Sequence, residues 1–154
     1  MKYIKDVFSY KLCSPENSYL IKDDWNITHI SINFTKRNVP FPNKLIIKPL
    51  YNNLNKIIYL IGITDNNNLP PINIVPILDD YDILISKLEY LSFPIVLTTS
   101  SSPFIIKYVN REWSLLCGYS LDEAVGNTFR IIKGSSKECI DDTNNFRNEI
   151  LSKL

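Results

Sequence analysis

Pro94-Ile-Val-Leu-Thr-Thr-Ser100, Ile105-Ile-Lys-Tyr-Val-Asn110 and Gly118-Tyr-Ser-Leu-Asp-Glu-Ala-Val-Gly126 are the stretches whose reading decides the fold. The first two are short β-rich runs separated by the turn-forming Ser100-Ser-Ser-Pro103, the pattern of a hairpin. Asn110 then stands where a helix N-cap accepts a backbone N–H, which predicts a helix over Arg111 to Cys117, stopped at Gly118. Ser120 and Glu123 have the spacing of a capping box, in which the serine hydroxyl accepts from the N–H three residues on and the glutamate reaches back to the serine's own N–H. A second short helix, Leu121 to Val125, closed by Gly126, follows.

Hairpin, helix and capped helix in that order resemble the opening half of a PAS domain, and Gly126-Asn-Thr-Phe-Arg-Ile-Ile-Lys-Gly134 resembles the segment that carries the photoreactive cysteine in its flavin-binding LOV branch. Phe129 stands at the cysteine's position, Thr128 and Lys133 stand where that pattern has asparagine and glutamine, and Arg130 matches. Without a thiol no flavin–cysteine adduct can form, because the adduct needs a nucleophilic sulfur beside the ring.

Thr28 to Thr35, Phe41 to Tyr51 and Lys56 to Ile63 resemble the closing half of the same module. Ile30, Ile32 and Phe34 alternate with polar neighbours at period two, as do Phe41, Asn43, Leu45 and Ile47, so both runs read as strands. The links Lys36–Val39 and Asn52–Asn55 carry asparagine, the non-glycine residue that best tolerates positive φ. The LOV resemblance implies FMN as a cofactor with Asn33, Asn43, Arg130 and Phe129 as contacts; the glutamine expected on the last strand is missing, with Thr64 near its place.

The closing half precedes the opening half. Either the chain is a slice through a tandem array, or the two halves form one circularly permuted module. First and last strands of a PAS sheet are antiparallel neighbours, so the permuted reading predicts that residues 57–63 and 94–99 pair, the stretch between them being ample to connect them. The expected fold class is α+β: a PAS-like antiparallel five-stranded sheet with short helices on one face. The expected divisions are an N-terminal extension (1–26), the closing-half meander (27–64), a linker with an amphipathic helix (65–92) and the opening-half segment (93–154).

In the linker, Asp65-Asn-Asn-Asn-Leu-Pro-Pro71 is a loop by its local signals. After Pro76, residues Ile77, Tyr81, Leu84, Leu88 and Leu91 recur at spacings of four and three, a stripe that serves either as a homodimer seam, as helices beside PAS modules do, or as a face docked on the sheet. Near the C-terminus, Asp141 or Asp142 can cap a helix with Phe146, Ile150 and Leu154 on one face.

Composition bounds the rest. A chain of 154 residues can bury about 70% of its unfolded surface. A net charge of +1 gives no electrostatic footprint for nucleic acid. The apolar runs are strand-length and the N-terminus lacks a signal-peptide core, so the expectation is a soluble, cytoplasmic protein with no membrane segment. Cys13, Cys117 and Cys139 are odd in number and lack metal spacing, which suits a reducing compartment.

Nothing in the pattern carries catalysis or a metal. His29, the only histidine, has no partnering residue nearby in sequence and reads as a surface residue. The pairs Asp23-Asp24, Asp79-Asp80 and Asp141-Asp142 point their carboxylates apart, and the four glycines have no phosphate-cradling spacing. Cys117 reads as a buried structural thiol. The function expected is therefore a non-enzymatic sensory and protein-interaction module in signal transduction, with other PAS or signalling domains as partners. The alternative is a flavin-binding, LOV-type blue-light photoreceptor without cysteinyl adduct chemistry.

Overall fold

The computed structural model describes residues 18–19, 25–52, 54–65, 77–78 and 81–154. Most of the N-terminal extension and of the loop after Asp65 lies outside them. So do Asp23-Asp24 and Asp79-Asp80, and with them the expectations for those segments.

Five antiparallel strands form the central sheet: β2 (Ile27–Phe34), β3 (Pro40–Tyr51), β4 (Ile57–Thr64), β6 (Ile95–Thr99) and β7 (Ile106–Val109), in the spatial order β2-β3-β4-β6-β7. The predicted asparagine turns are in place, since Asn38 and Asn55 each take a φ of 60° in the two links of the meander. The seam between the two halves of the chain is the β4–β6 ladder, with Tyr59 opposite Thr99 and Ile63 opposite Ile95. Thr64 N–H extends the pairing by donating to the Pro94 carbonyl at 3.0 Å. Gly62 is needed there: a methyl group at this position would come within 2.7 Å of Val96 Cγ1 on the facing strand.

Both faces of the sheet are covered, whereas the sequence predicted helices on one. On the first face lie α2 (Arg111–Cys117), α3 (Leu121–Ala124), a 3-10 turn (Phe129–Ile132) and α4 (Lys137–Lys153), enclosing Leu45, Ile47, Leu60, Val96 and Ile106 with Trp113, Phe129, Phe146 and Ile150. On the second, α1 (Tyr81–Glu89) sets Leu84 and Leu88, both 0% exposed, against Ile61, Ile63, Ile95 and Leu97. The stripe is thus spent inside the fold, and the docking alternative accounts for Leu84, Leu88 and Leu91; a homodimer seam through them would require the helix to leave the sheet. Tyr81 packs at the margin of this cluster and donates its hydroxyl to the Lys107 carbonyl at 3.3 Å. Ile77 belongs to a two-residue strand, β5 (Ile77–Leu78), paired with β1 (Ser18–Tyr19), and not to the helix that the stripe predicted. Extension and linker are thereby tied together.

Local chemistry explains the helical boundaries. Asn110 caps α2 by accepting from Trp113 N–H at 3.1 Å, as predicted, and also accepts from Ile95 N–H at 2.9 Å and donates to the Phe93 carbonyl at 2.9 Å. One buried amide therefore fixes the helix start, the sheet edge and the chain entering β6. Gly118, at φ 82°, ends α2 in the left-handed conformation. The capping box of α3 is formed as predicted, with Glu123 N–H on Ser120 Oγ at 3.2 Å and Ser120 N–H on Glu123 Oε2 at 2.9 Å. The last helix corrects its expectation: Ser136, not an aspartate, is the N-cap, accepting from Cys139 N–H at 3.2 Å. Asp141 and Asp142 are consequently inside α4, and Leu154 is exposed beyond its end.

Candidate ligand-binding site

Strand β2 is inverted relative to an ordinary edge strand. Ile30 and Ile32 face outward, at 72% and 54% exposed, while His29, Ser31 and Asn33 lie on the same inner face as the buried Ile27. Because side chains alternate at period two, His29, Ser31 and Asn33 share the inner face. Asn43 joins them, since it lies opposite Ser31 in the β2–β3 ladder. Asn33 is 1% and Asn43 4% exposed.

Helix-side residues complete a polar chamber over this row. Lys133, just past the 3-10 turn, donates Nζ to Ser31 Oγ at 2.9 Å, and Ser31 Oγ donates to Asn33 Oδ1 at 3.0 Å. His29 Nε2 lies 3.0 Å from Asp142 Oδ2 of α4, and its ring stacks on Phe146 with centroids 4.2 Å apart. Lys133 Nζ also stands 5.8 Å from the centre of that ring. One acceptor is orphaned: Asn43 Oδ1 is buried with no hydrogen-bond partner. His29 is the correction to the expected surface histidine, because its side chain is only 11% exposed.

The chamber disfavours positive charge. Burial pushes the pKa of His29 down and the Lys133 charge adds to it, against the opposing pull of Asp142. Lys133 is likewise lowered by burial, with Asp142 and Cys139 opposing. In the neighbouring core, burial raises the Cys117 thiol to about 12, as befits a structural and unreactive cysteine.

A cavity of about 300 Å³ opens on the other side of Phe146. Phe104, Phe129, Phe146 and Ile150 form its apolar floor, and Thr128, Arg130, Thr143, Asn144 and Arg147 its polar lining. Thr128 Oγ1 caps the 3-10 turn by accepting from Arg130 N–H at 3.3 Å, so the turn presents Phe129 and Arg130 to one space. Arg147 Nη2 donates to Ser102 Oγ at 2.7 Å, tying α4 to the hairpin loop.

The four residues implied by the resemblance thus fall into two pairs. Asn33 and Asn43 share the inner face of the β2–β3 ladder; Phe129 and Arg130 meet at the cavity, whose lining includes neither asparagine. The orphaned Asn43 acceptor would suit a hydrogen-bonding ligand; Lys133 bonds Ser31, the residue opposite Asn43, and Phe129 supplies no thiol for an adduct. The four therefore do not line one space, as contacts to a single flavin would.

Lys133, Asp142 and Phe146 carry no local signal, because each meets its partner across roughly a hundred residues of sequence or more. Among the described residues, no group of three His, Cys, Asp or Glu side chains comes together to hold a metal ion, and no helix is long and apolar enough to cross a membrane. Comparison of the chain with family models, with curated proteins and with solved structures returns no match.

Proposed function

We propose that this chain is a PAS-like sensory and protein-interaction module that works without catalysis and passes a ligand- or partner-dependent change to other signalling domains. What supports this reading above all is the β4–β6 ladder, since a module read from two out-of-order halves requires that junction and no other. The sheet then connects the ligand side to α1 on its far face through Ile61, Ile95 and Leu97. Small-molecule sites are concave, mostly apolar and furnished with a few convergent polar groups, which describes the cavity beside Phe129.

The test is a thermal-shift screen of small molecules followed by hydrogen exchange on any compound that raises the melting temperature. The expected result is altered exchange in α1 as well as at the cavity walls. Stabilisation with no change beyond those walls would leave a binder without an output and remove the sensory reading.

One observation favours the second reading, a LOV-type flavin protein without adduct chemistry: the unpartnered Asn43 Oδ1 beside Asn33. The absorbance spectrum of the purified protein separates the two. A flavin band in the blue region would establish the photoreceptor reading, and its absence after supplying FMN would end it.

A further inference from the structure

The cavity beside Phe129 has a chemistry of its own. Three aromatic rings and Ile150 make a floor that rewards apolar contact, while the lining includes two arginines and no carboxylate. No acceptor among the described residues takes the Arg130 guanidinium; its backbone alone is engaged, the N–H by Thr128 and the carbonyl by Lys133 N–H. Arg147 is pinned to the Ser102 hydroxyl, a neutral partner that leaves its charge uncompensated. The Phe146 ring also stacks on His29. Arg130 and Arg147 are exposed while the three rings and Ile150 are buried, so a ligand entering from solvent meets two guanidiniums first and rings behind them. Guanidiniums match carboxylates in charge and in planar fork geometry. At about 300 Å³ the space holds on the order of ten heavy atoms, taking the roughly 30 Å³ that a water-sized group occupies in a liquid.

We propose that the cavity of Phe104, Phe129, Phe146 and Ile150 takes a small apolar carboxylate, its head group held by Arg130 and Arg147 and its body laid on the rings. This rests on the sensory reading and names the ligand class that such a module would respond to. The arginine-fringed cavity is a different space from the one the flavin resemblance implies, since its lining includes neither Asn33 nor Asn43.

Isothermal titration of the whole chain with octanoate, 1-octanol and octylammonium tests it. These probes share a body and differ in charge. Octanoate is expected to bind at one site, with octanol and octylammonium weaker by roughly tenfold or more, the scale of a lost charge-assisted hydrogen bond. Arg130→Met and Arg147→Met lie on the surface and leave the core untouched; the double variant is expected to lose the preference for octanoate over octanol. Octanol binding as tightly as octanoate, an unchanged octanoate affinity in the double variant, or no octanoate binding at all would each overturn the proposal. The sensory reading fails separately: octanoate bound without altered exchange in α1 sinks that reading and keeps the ligand class, whereas another compound that alters α1 while octanoate does not bind sinks only the ligand class.

Discussion

Lys133 Nζ donates to Ser31 Oγ at 2.9 Å, joining the end of the 3-10 turn to the inner face of an edge strand 102 residues earlier in the chain. The bond explains how the strand tolerates being polar inside. Ser31 passes the interaction on to Asn33, and the lysine stem covers apolar area while its ammonium meets a hydroxyl and the Phe146 ring. No carboxylate lies within ion-pair distance of this ammonium among the described residues. A half-buried cation without a counter-ion contributes little to stability by itself.

Replacing Lys133 by methionine is therefore expected to leave the unfolding free energy within about 1 kcal/mol of wild type or to raise it, because the stem is kept and the desolvated charge removed. Ser31→Ala, which strands the ammonium, is expected to cost about 1–3 kcal/mol. Urea unfolding of both variants checks the ordering; a methionine variant losing more than the alanine one would mean that the charge itself holds the site together.

Stability should fall on mild acidification. The folded-state pKa of His29 lies below its ordinary 6.5, first because of burial and then because of the Lys133 charge. Between that lowered value and 6.5 the unfolded chain binds the proton and the folded one does not, so the contribution is fully present above 6.5 and is lost as pH falls through the folded pKa. Denaturant titrations from pH 8 to pH 5 should show this decline, and His29→Gln should flatten it. A slope unchanged in the glutamine variant would assign the decline to other groups.

Much of the fold was legible in local chemistry. The Asn110 cap, the Ser120–Glu123 box, Gly118 and the two asparagine turns are decided by neighbours within four residues, and they form as the residues predict. The stripe of Leu84, Leu88 and Leu91 was equally visible, but periodicity reports an apolar face and not what covers it. Asp141-Asp142 misled as a cap because Ser136 offers the helix an earlier start. The site was the least legible part: His29 has no carboxylate near it in sequence, and Asp142 reaches it only once α4 crosses β2. Asn33 and Asn43 were singled out by resemblance, and they share the inner face of the sheet, yet the cavity that Phe129 and Arg130 line includes neither.

Leu84→Asp and Leu88→Asp distinguish a packed helix from a dimer seam. Both side chains are fully enclosed by the sheet's second face. An aspartate there is an unpaired buried charge in a collapsed apolar cluster, so each variant is expected to lose about 4 kcal/mol or more and to unfold cooperatively. Circular dichroism with size-exclusion chromatography reads the result. A folded monomer derived from a wild-type dimer would restore the seam.

The junction between the two halves can be tested by coupling. Gly62 and Val96 are ladder partners, and a methyl group on Gly62 would press on Val96 Cγ1 at 2.7 Å and on Ile47 Cδ1 at 3.2 Å. Gly62→Ala alone is expected to cost about 1–3 kcal/mol through overpacking. Val96→Ala alone leaves a void, and methyl deletions in a core of this kind cost roughly 1–3 kcal/mol. Because each change relieves the other, the double variant should be more stable than the sum of the singles by about 1 kcal/mol or more. Additive losses in urea unfolding would mean that the strands on either side of the linker are not in contact, and the shared sheet on which the sensory reading depends would go with them.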